Sequence, residues 1–209
     1  MTKLDYKKEM KQFYFPSTKE FTLVDVPEMN FVMVDGYGDP NTSPLFQDAM
    51  QTLYGISFTI KFMLKKENTR EYVVPPLEGL WWMENMAEFS LERKDDWLWT
   101  VMIRQPDWVN QEHFLKAKEE IMRKKGDEAP KLLPKARLEL FREGLSAQIM
   151  YIGPFADEGP TIQRLHQFIK EKGYELRDKH HEIYMSDPRK TAPEKLKTVI
   201  RQPVGEGNR

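Results

Sequence analysis

Glu182 has the clearest chemical use of any residue in this sequence. It lies in the run His180-His181-Glu182-Ile183-Tyr184-Met185-Ser186, which reads as a strand. Residues two apart on a strand share a face, so His180, Glu182, Tyr184 and Ser186 point one way. His181, Ile183 and Met185 point the other. If the apolar side chains turn toward helices, Glu182 and Tyr184 look out from the opposite side of the sheet. A carboxylate among aromatic rings can neutralise a cation, aided by the ring faces. It can also take a proton from water as a general base. Burial would raise its pKa toward neutrality, which suits the second use. On the residues alone, the alternative is a solvated strand glutamate.

All five tryptophans, Trp81, Trp82, Trp97, Trp99 and Trp108, lie in one short stretch of the chain. Tryptophan offers a large apolar plane for a ligand or for the core. Trp81 and Trp82 point to opposite faces, so at most one of them lines a site; Trp82 and Trp99 are the expected walls. Tyr151 follows Met150 in another strand, where its hydroxyl could donate to a developing oxyanion or hold a water. Glu78 is a second acid, either of the site or of a loop. Glu158 is read as a helix-dipole residue. His180 and His181 are adjacent, so their rings diverge and cannot share a metal. His113 and His166 lack partners at ligand spacing. No phosphate loop, nucleophile elbow or zinc motif is present, and neither metal nor cofactor is expected.

These residues need strands and helices to position them. Phe21–Val26 and Asn30–Gly36 read as an antiparallel pair turning at Pro27. Ser43-Pro44 opens a helix to about Lys66, with Leu45, Ala49, Leu53 and Ile56 on one face. Leu77–Glu84 and Trp97–Arg104 are strands. Asn110 caps a helix with Phe114, Leu115, Ala117 and Ile121 inside. The order then recurs. Arg137–Arg142 and Ala147–Gly153 flank a turn at Gly144, and Pro160 opens a helix carrying Ile162, Leu165, Phe168 and Ile169. His181–Ser186 and a final strand follow. Ile103-Arg104-Gln105-Pro106 returns as Ile200-Arg201-Gln202-Pro203, with Thr-Val ahead of both. The reading is an α+β fold of duplicated strand-helix-strand-strand units with antiparallel pairing. An arm spans 1–20, the first half with its connecting helix 21–126, a charged linker 127–136 and the second half 137–204.

The chain has 209 residues, 40% hydrophobic and 31% charged, the balance of a globular protein. Its net charge of -1 leaves no footprint for nucleic acid or an anionic membrane. No apolar run approaches a membrane span, and the N-terminus does not read as a signal peptide. The absence of cysteine excludes disulfides and thiol nucleophiles and fits a cytoplasmic bacterial protein.

Three segments carry a family resemblance: Ile149-Met-Tyr-Ile-Gly-Pro-Phe155, Glu182-Ile-Tyr-Met-Ser-Asp-Pro188 and Leu77-Glu-Gly-Leu-Trp-Trp82. With the repeated Ile-Arg-Gln-Pro strand, the chain from about 20 to 204 resembles the GyrI-like family. Leu77–Trp82 with Trp97-Leu-Trp99 is similar to its stand-alone branch. That family is akin to the effector-binding domains of bacterial multidrug regulators, but the chain shows no helix-turn-helix. The resemblance implies a pseudo-twofold arrangement with a groove between the halves. It implies a flat, apolar and often cationic ligand. Some stand-alone members resemble cyclopropanoid cyclopropyl hydrolases, which add water across a strained electrophilic ring and so detoxify xenobiotics. Glu182 and Tyr151 are then the expected catalytic pair, with Trp82, Trp99, Tyr184 and Glu78 holding the ligand; the alternatives are sequestration of a lipophilic or cationic drug without turnover, and inhibition of a larger protein.

Overall fold

A computed structural model of the chain describes residues 3–67, 70–84 and 93–207. Two short helices, α1 (Tyr6–Glu9) and α2 (Lys11–Tyr14), come first. They are followed by β1 (Thr22–Tyr37), α3 (Pro44–Lys66), β2 (Leu77–Trp82), β3 (Leu98–Gln105) and α4 (Gln111–Lys125). The second run is β4 (Arg137–Ile152), α5 (Gly159–Glu171), β5 (Tyr174–Leu176), β6 (His180–Tyr184) and β7 (Lys197–Glu206). The fold therefore mixes helices with antiparallel strands. The strand-helix-strand-strand order occurs twice, with β5 an added strand in the second run. No helix among the described residues is long and apolar enough to cross a membrane.

The two hairpins expected at Pro27 and Gly144 do not form. β1 and β4 are each continuous strands of 16 residues. Pro27 is exposed, a position where a strand tolerates a residue with no amide donor. Gly144 takes a φ of 75° within β4, and a glycine in that region re-aims a strand without ending it.

The chain forms two compact units, neither of them a continuous stretch. One comprises Met1–Glu9, Met29–Pro75 and Trp82–Phe141; the other comprises Met10–Glu28, Pro76–Trp81 and Arg142–Arg209. In the first, β1 pairs antiparallel with β3 from Asn30↔Gln105 to Tyr37↔Leu98. Helices α3 and α4 pack through Ala49, Leu53, Ile56 and Ile60 on one and Phe114, Ala117 and Ile121 on the other, all buried. Leu115, expected inside, is exposed because it lies a hundred degrees round the helix from Phe114. Pro44 is the first residue of α3, as expected, but the Ser43 side chain makes no capping bond. Asn110 does cap α4, its Oδ1 accepting from the His113 amide at 3.1 Å. The segment after α4 is pinned to α3, with Asp48 accepting from the Lys131 and Leu132 amides at 2.9 and 2.7 Å.

In the second unit β2, β6, β7 and β4 form an antiparallel ladder. Its registers are Gly79↔Glu182, Glu182↔Ile200 and Ile149↔Ile200, and β5 pairs with the far end of β7. The buried face of α5 is Ile162, Leu165 and Ile169, while Phe168 is half-buried and tilted against Phe21 at 5.6 Å.

The repeated tetrapeptide has a physical role in each unit. Arg104 and Arg201 are both buried. Arg104 lies over the Tyr6 ring at 3.7 Å, and Arg201 donates from Nη2 to the Phe13 carbonyl at 2.7 Å. Each copy thus anchors its own piece of the N-terminal segment.

Candidate functional site

Three rows of side chains lie on one face of the β2–β6–β7–β4 ladder, because directly paired residues share a face. The first row is Tyr151, Thr198 and Tyr184; the second is Ile149, Ile200, Glu182 and Gly79. His180 opposite Trp81 begins the third. Glu182 is buried at the centre of this face. Its Oε2 accepts from the Tyr184 hydroxyl at 2.8 Å, and its Oε1 lies 3.1 Å from His180 Nε2.

The chain segment leading into α5 lies on the same face. The Phe155 ring meets Tyr184 edge-on at 5.5 Å. The buried Glu158 carboxyl reaches Glu182 through a side-chain hydrogen bond. His166 of α5 interacts electrostatically with His180. Glu182 therefore faces the helix, contrary to the expectation that the apolar side chains of β6 would do so. Glu158 stands at the N-terminus of α5, where its carbonyl accepts from the Thr161 and Ile162 amides. Its side chain makes no cap and is turned to Glu182 instead of acting only on the helix dipole.

Burial opposes ionisation of Glu182, but hydrogen bonds from His180, Tyr184 and Glu158 outweigh it and hold the carboxyl below its ordinary value. The upward shift expected from burial alone does not occur, since three partners stabilise the anion. Burial and then the Glu182 charge push the Tyr184 phenol up, so it remains a donor at neutral pH. Burial, and then His180, push His166 down to about 4, leaving it neutral. Two buried polar atoms at this face, Thr198 Oγ1 and His166 Nε2, have no hydrogen-bond partner among the described residues.

The structure brings Glu182, Tyr184 and Tyr151 to one face, although the Tyr151 hydroxyl donates to the Pro154 carbonyl at 3.0 Å. Glu78 does not join them. The register turns it to the other face, beside Ile183 and His181. There His181 is clamped between two buried acids: Nδ1 is 2.8 Å from Glu143 Oε1 and Nε2 is 3.1 Å from Glu78 Oε2. Glu143 also takes Arg201 Nη1 at 3.1 Å. Two acids and two bases close on one another, so this network is a fastening of the ladder. Of the expected tryptophan walls, Trp82 and Trp99 belong to the other unit. Trp99 is fully buried over Gly36, with its indole donating to the Gly38 carbonyl at 3.2 Å.

Trp81 is the tryptophan that stands with the acid, its indole against the Tyr184 hydroxyl. Gly79 was the available signal: it sits two residues before Trp81 on the same face, directly across from Glu182. A Cβ there would lie 2.8 Å from Trp81 Nε1 and 2.9 Å from Cε2. The indole is rigid and cannot give way by a rotamer change of its tip. Gly79→Ala is expected to displace the ring and destabilise the chain by about 1–3 kcal/mol, the usual cost of overpacking. Thermal unfolding and near-ultraviolet circular dichroism would register it.

Among the described residues no group of three or more histidine or acidic side chains is arranged to hold a metal ion. What the arrangement offers is an ionised carboxylate, an adjacent second carboxyl, phenol and imidazole donors, and aromatic surface.

Several solved structures resemble the chain. An uncharacterized conserved protein from Listeria innocua is 44% identical, with a TM-score of 0.90 over 97% of this chain and 100% of that one. A protein described as a hydrolase from Listeria innocua is also 44% identical, with a TM-score of 0.87 over 98% and 100%. The EcmrR C-terminal domain, 12% identical with a TM-score of 0.53 over 90% and 98%, shares the fold alone. No curated protein matches the chain. The family model of the GyrI-like small molecule binding domain matches residues 19–204, and the chain belongs to that family.

Proposed function

We propose that this protein hydrolyses electrophilic, aromatic small molecules of the cyclopropanoid kind at the face built around Glu182. The observation that carries the reading is the buried Glu182 carboxylate, bonded to Tyr184 and His180 with Trp81 and Phe155 beside it. Its setting adds support: the chain is 44% identical, over nearly its full length, to a structure described as a hydrolase. In this reading Glu182 orients a water and receives its proton. Tyr184 keeps donating to Glu182, and Tyr151 in the same row turns its hydroxyl from the Pro154 carbonyl to the oxygen that gains charge. Trp81 and Phe155 supply apolar surface to a flat ligand, as small-molecule sites require. The two strand-helix-strand-strand runs are taken as copies of one unit.

A second reading is binding without turnover. It is favoured by one observation, the depression of the Glu182 pKa, because a carboxylate held ionised is a strong counter-charge and a weak base. The experiment that separates the two is incubation of the protein with excess cyclopropanoid alkylator, following the mass of the water adduct. Many adducts formed per protein are expected. Protection that stops at one ligand per chain would replace hydrolysis with sequestration, and no protection at all would remove both.

A further inference from the structure

A second carboxyl shares this face. Glu158 comes from the end of α5 and Glu182 from β6, and both are buried in hydrogen-bond contact. Two ionised carboxylates cannot sit in such contact away from water, so such a pair holds a proton between its members. The surroundings decide which member keeps it. Tyr184 donates to Glu182 Oε2 at 2.8 Å, and His180 Nε2 lies 3.1 Å from Oε1. Both stabilise an anion at Glu182. The proton then belongs to Glu158, as donor in the bond between the two acids. Two carboxyls in different environments are how one site obtains an acid and a base at the same pH.

The face is also prepared for a polar guest. Thr198 Oγ1, fully buried in the row between Tyr151 and Tyr184, has no hydrogen-bond partner among the described residues. A buried hydroxyl left unpaired is costly, and a bound water or substrate atom would satisfy it.

We propose that Glu158 and Glu182 are a one-proton carboxyl pair, with Glu158 the proton donor and Glu182 the proton acceptor of the same reaction. The inference rests on the hydrolase reading for its substrate. The water oxygen bonds to a ring carbon while the strained carbon–carbon bond breaks, and the water proton passes to Glu182. The electron pair of the broken bond moves into the conjugated carbonyl, whose oxygen takes the proton of Glu158. The proton on Glu182 then returns to Glu158 across the bond that joins them, and the pair is restored without exchange with solvent.

Other titratable groups face the pair from each neighbouring element. β6 brings His180 and Tyr184, α5 brings His166 and β4 brings Tyr151, while Asp157 in the turn before α5 is exposed and acts on Tyr151 alone. β2 contributes Trp81 and Gly79, neither of which titrates in this range.

The test joins two measurements. Infrared spectroscopy of the ligand-free protein at neutral pH is expected to show the carbonyl stretch of one buried protonated carboxyl. Glu158→Gln keeps the shape and a donor toward Glu182 but should abolish that stretch. Should this variant fold poorly, Glu182→Gln serves instead: a neutral neighbour lets Glu158 ionise, and the stretch again disappears. The pH–rate profile of cyclopropanoid opening by the wild type should fall at high pH as the pair loses its proton. Glu158→Gln should lower turnover about 10²–10⁴-fold, the usual contribution of a positioned acid, and remove that alkaline limb. A stretch absent from the wild type, or one that survives Glu158→Gln, overturns the shared proton. Turnover and pH profile unchanged in Glu158→Gln overturn its role as acid. A wild type that opens no ring removes the hydrolase reading and the catalytic role with it, and the spectrum alone then decides whether the proton is shared.

Discussion

Glu143→Leu is expected to lower the unfolding free energy by about 3–5 kcal/mol, read from urea denaturation at neutral pH. Glu143, Glu78, His181 and Arg201 are all at most 3% exposed. Leucine would leave the His181 imidazolium with Glu78 as its remaining acid and take from Arg201 its contact with Glu143. Breaking one member of a buried ionic set costs more than the set contributes, because the surviving charges stay out of water. The milder Glu143→Gln keeps the shape, and its signature is in pH. Burial works against the His181 cation, but the two acids overcome it and raise the pKa to about 9. Stability from this group is therefore complete below the ordinary histidine value of 6.5 and is lost as pH rises through about 9. Glu143, buried but held to about 2 by His181 and Arg201, contributes above its ordinary 4.5 and is lost as pH falls through about 2. The wild type should thus be most stable between those limits, and Glu143→Gln should flatten both slopes. A Glu143→Gln protein with the wild-type alkaline slope would show that Glu143 is not what holds the charge on His181.

Much of this arrangement was legible in the chain, and the parts that were not share a cause. The helices at 44–66, 111–125 and 159–171 follow from local signals, namely proline at the first turn, an asparagine cap and apolar side chains at helical spacing. Alternation along β6 also separates Glu182 and Tyr184 from His181 and Ile183 before any fold is known. Alternation carries no sign, however. It says which residues share a face and not what the face meets, and the side that carries Glu182 is the one α5 covers. Alternation likewise separates Trp81 from Trp82 without choosing between them, and the space beside Gly79 is what seats the Trp81 ring. Glu158 and Glu143 lie 24 and 38 residues from the positions they serve in β6. Nothing local announces such a contact; it exists because β4 and α5 return to the same ladder. Pro27 and Gly144 failed for a different reason, since turn-forming residues also serve inside long strands where the chain must bend or needs no donor.

Glu182→Gln is expected to lower turnover of a cyclopropanoid substrate about 10²–10⁴-fold, measured as water adduct formed per protein per minute. Glutamine fills the same volume and still accepts from Tyr184, so the aromatic surface stays in place. What it lacks is the negative charge and the capacity to receive a proton. The effect should therefore fall on kcat, with KM for a neutral substrate changed far less, because apolar contacts with Trp81 and Phe155 bind ground and transition states alike. A cationic aromatic such as tetraphenylphosphonium makes the complementary probe. Its attraction to this face is mainly to the carboxylate, so its affinity should fall at least about tenfold in Glu182→Gln, the equivalent of one lost charge-assisted contact. If turnover and cation affinity both survive the substitution, the face around Glu182 is not where this protein does its work. If the cation is lost while turnover persists, the carboxylate is a counter-charge and the water is activated elsewhere on the row from Tyr151 through Thr198 to Tyr184.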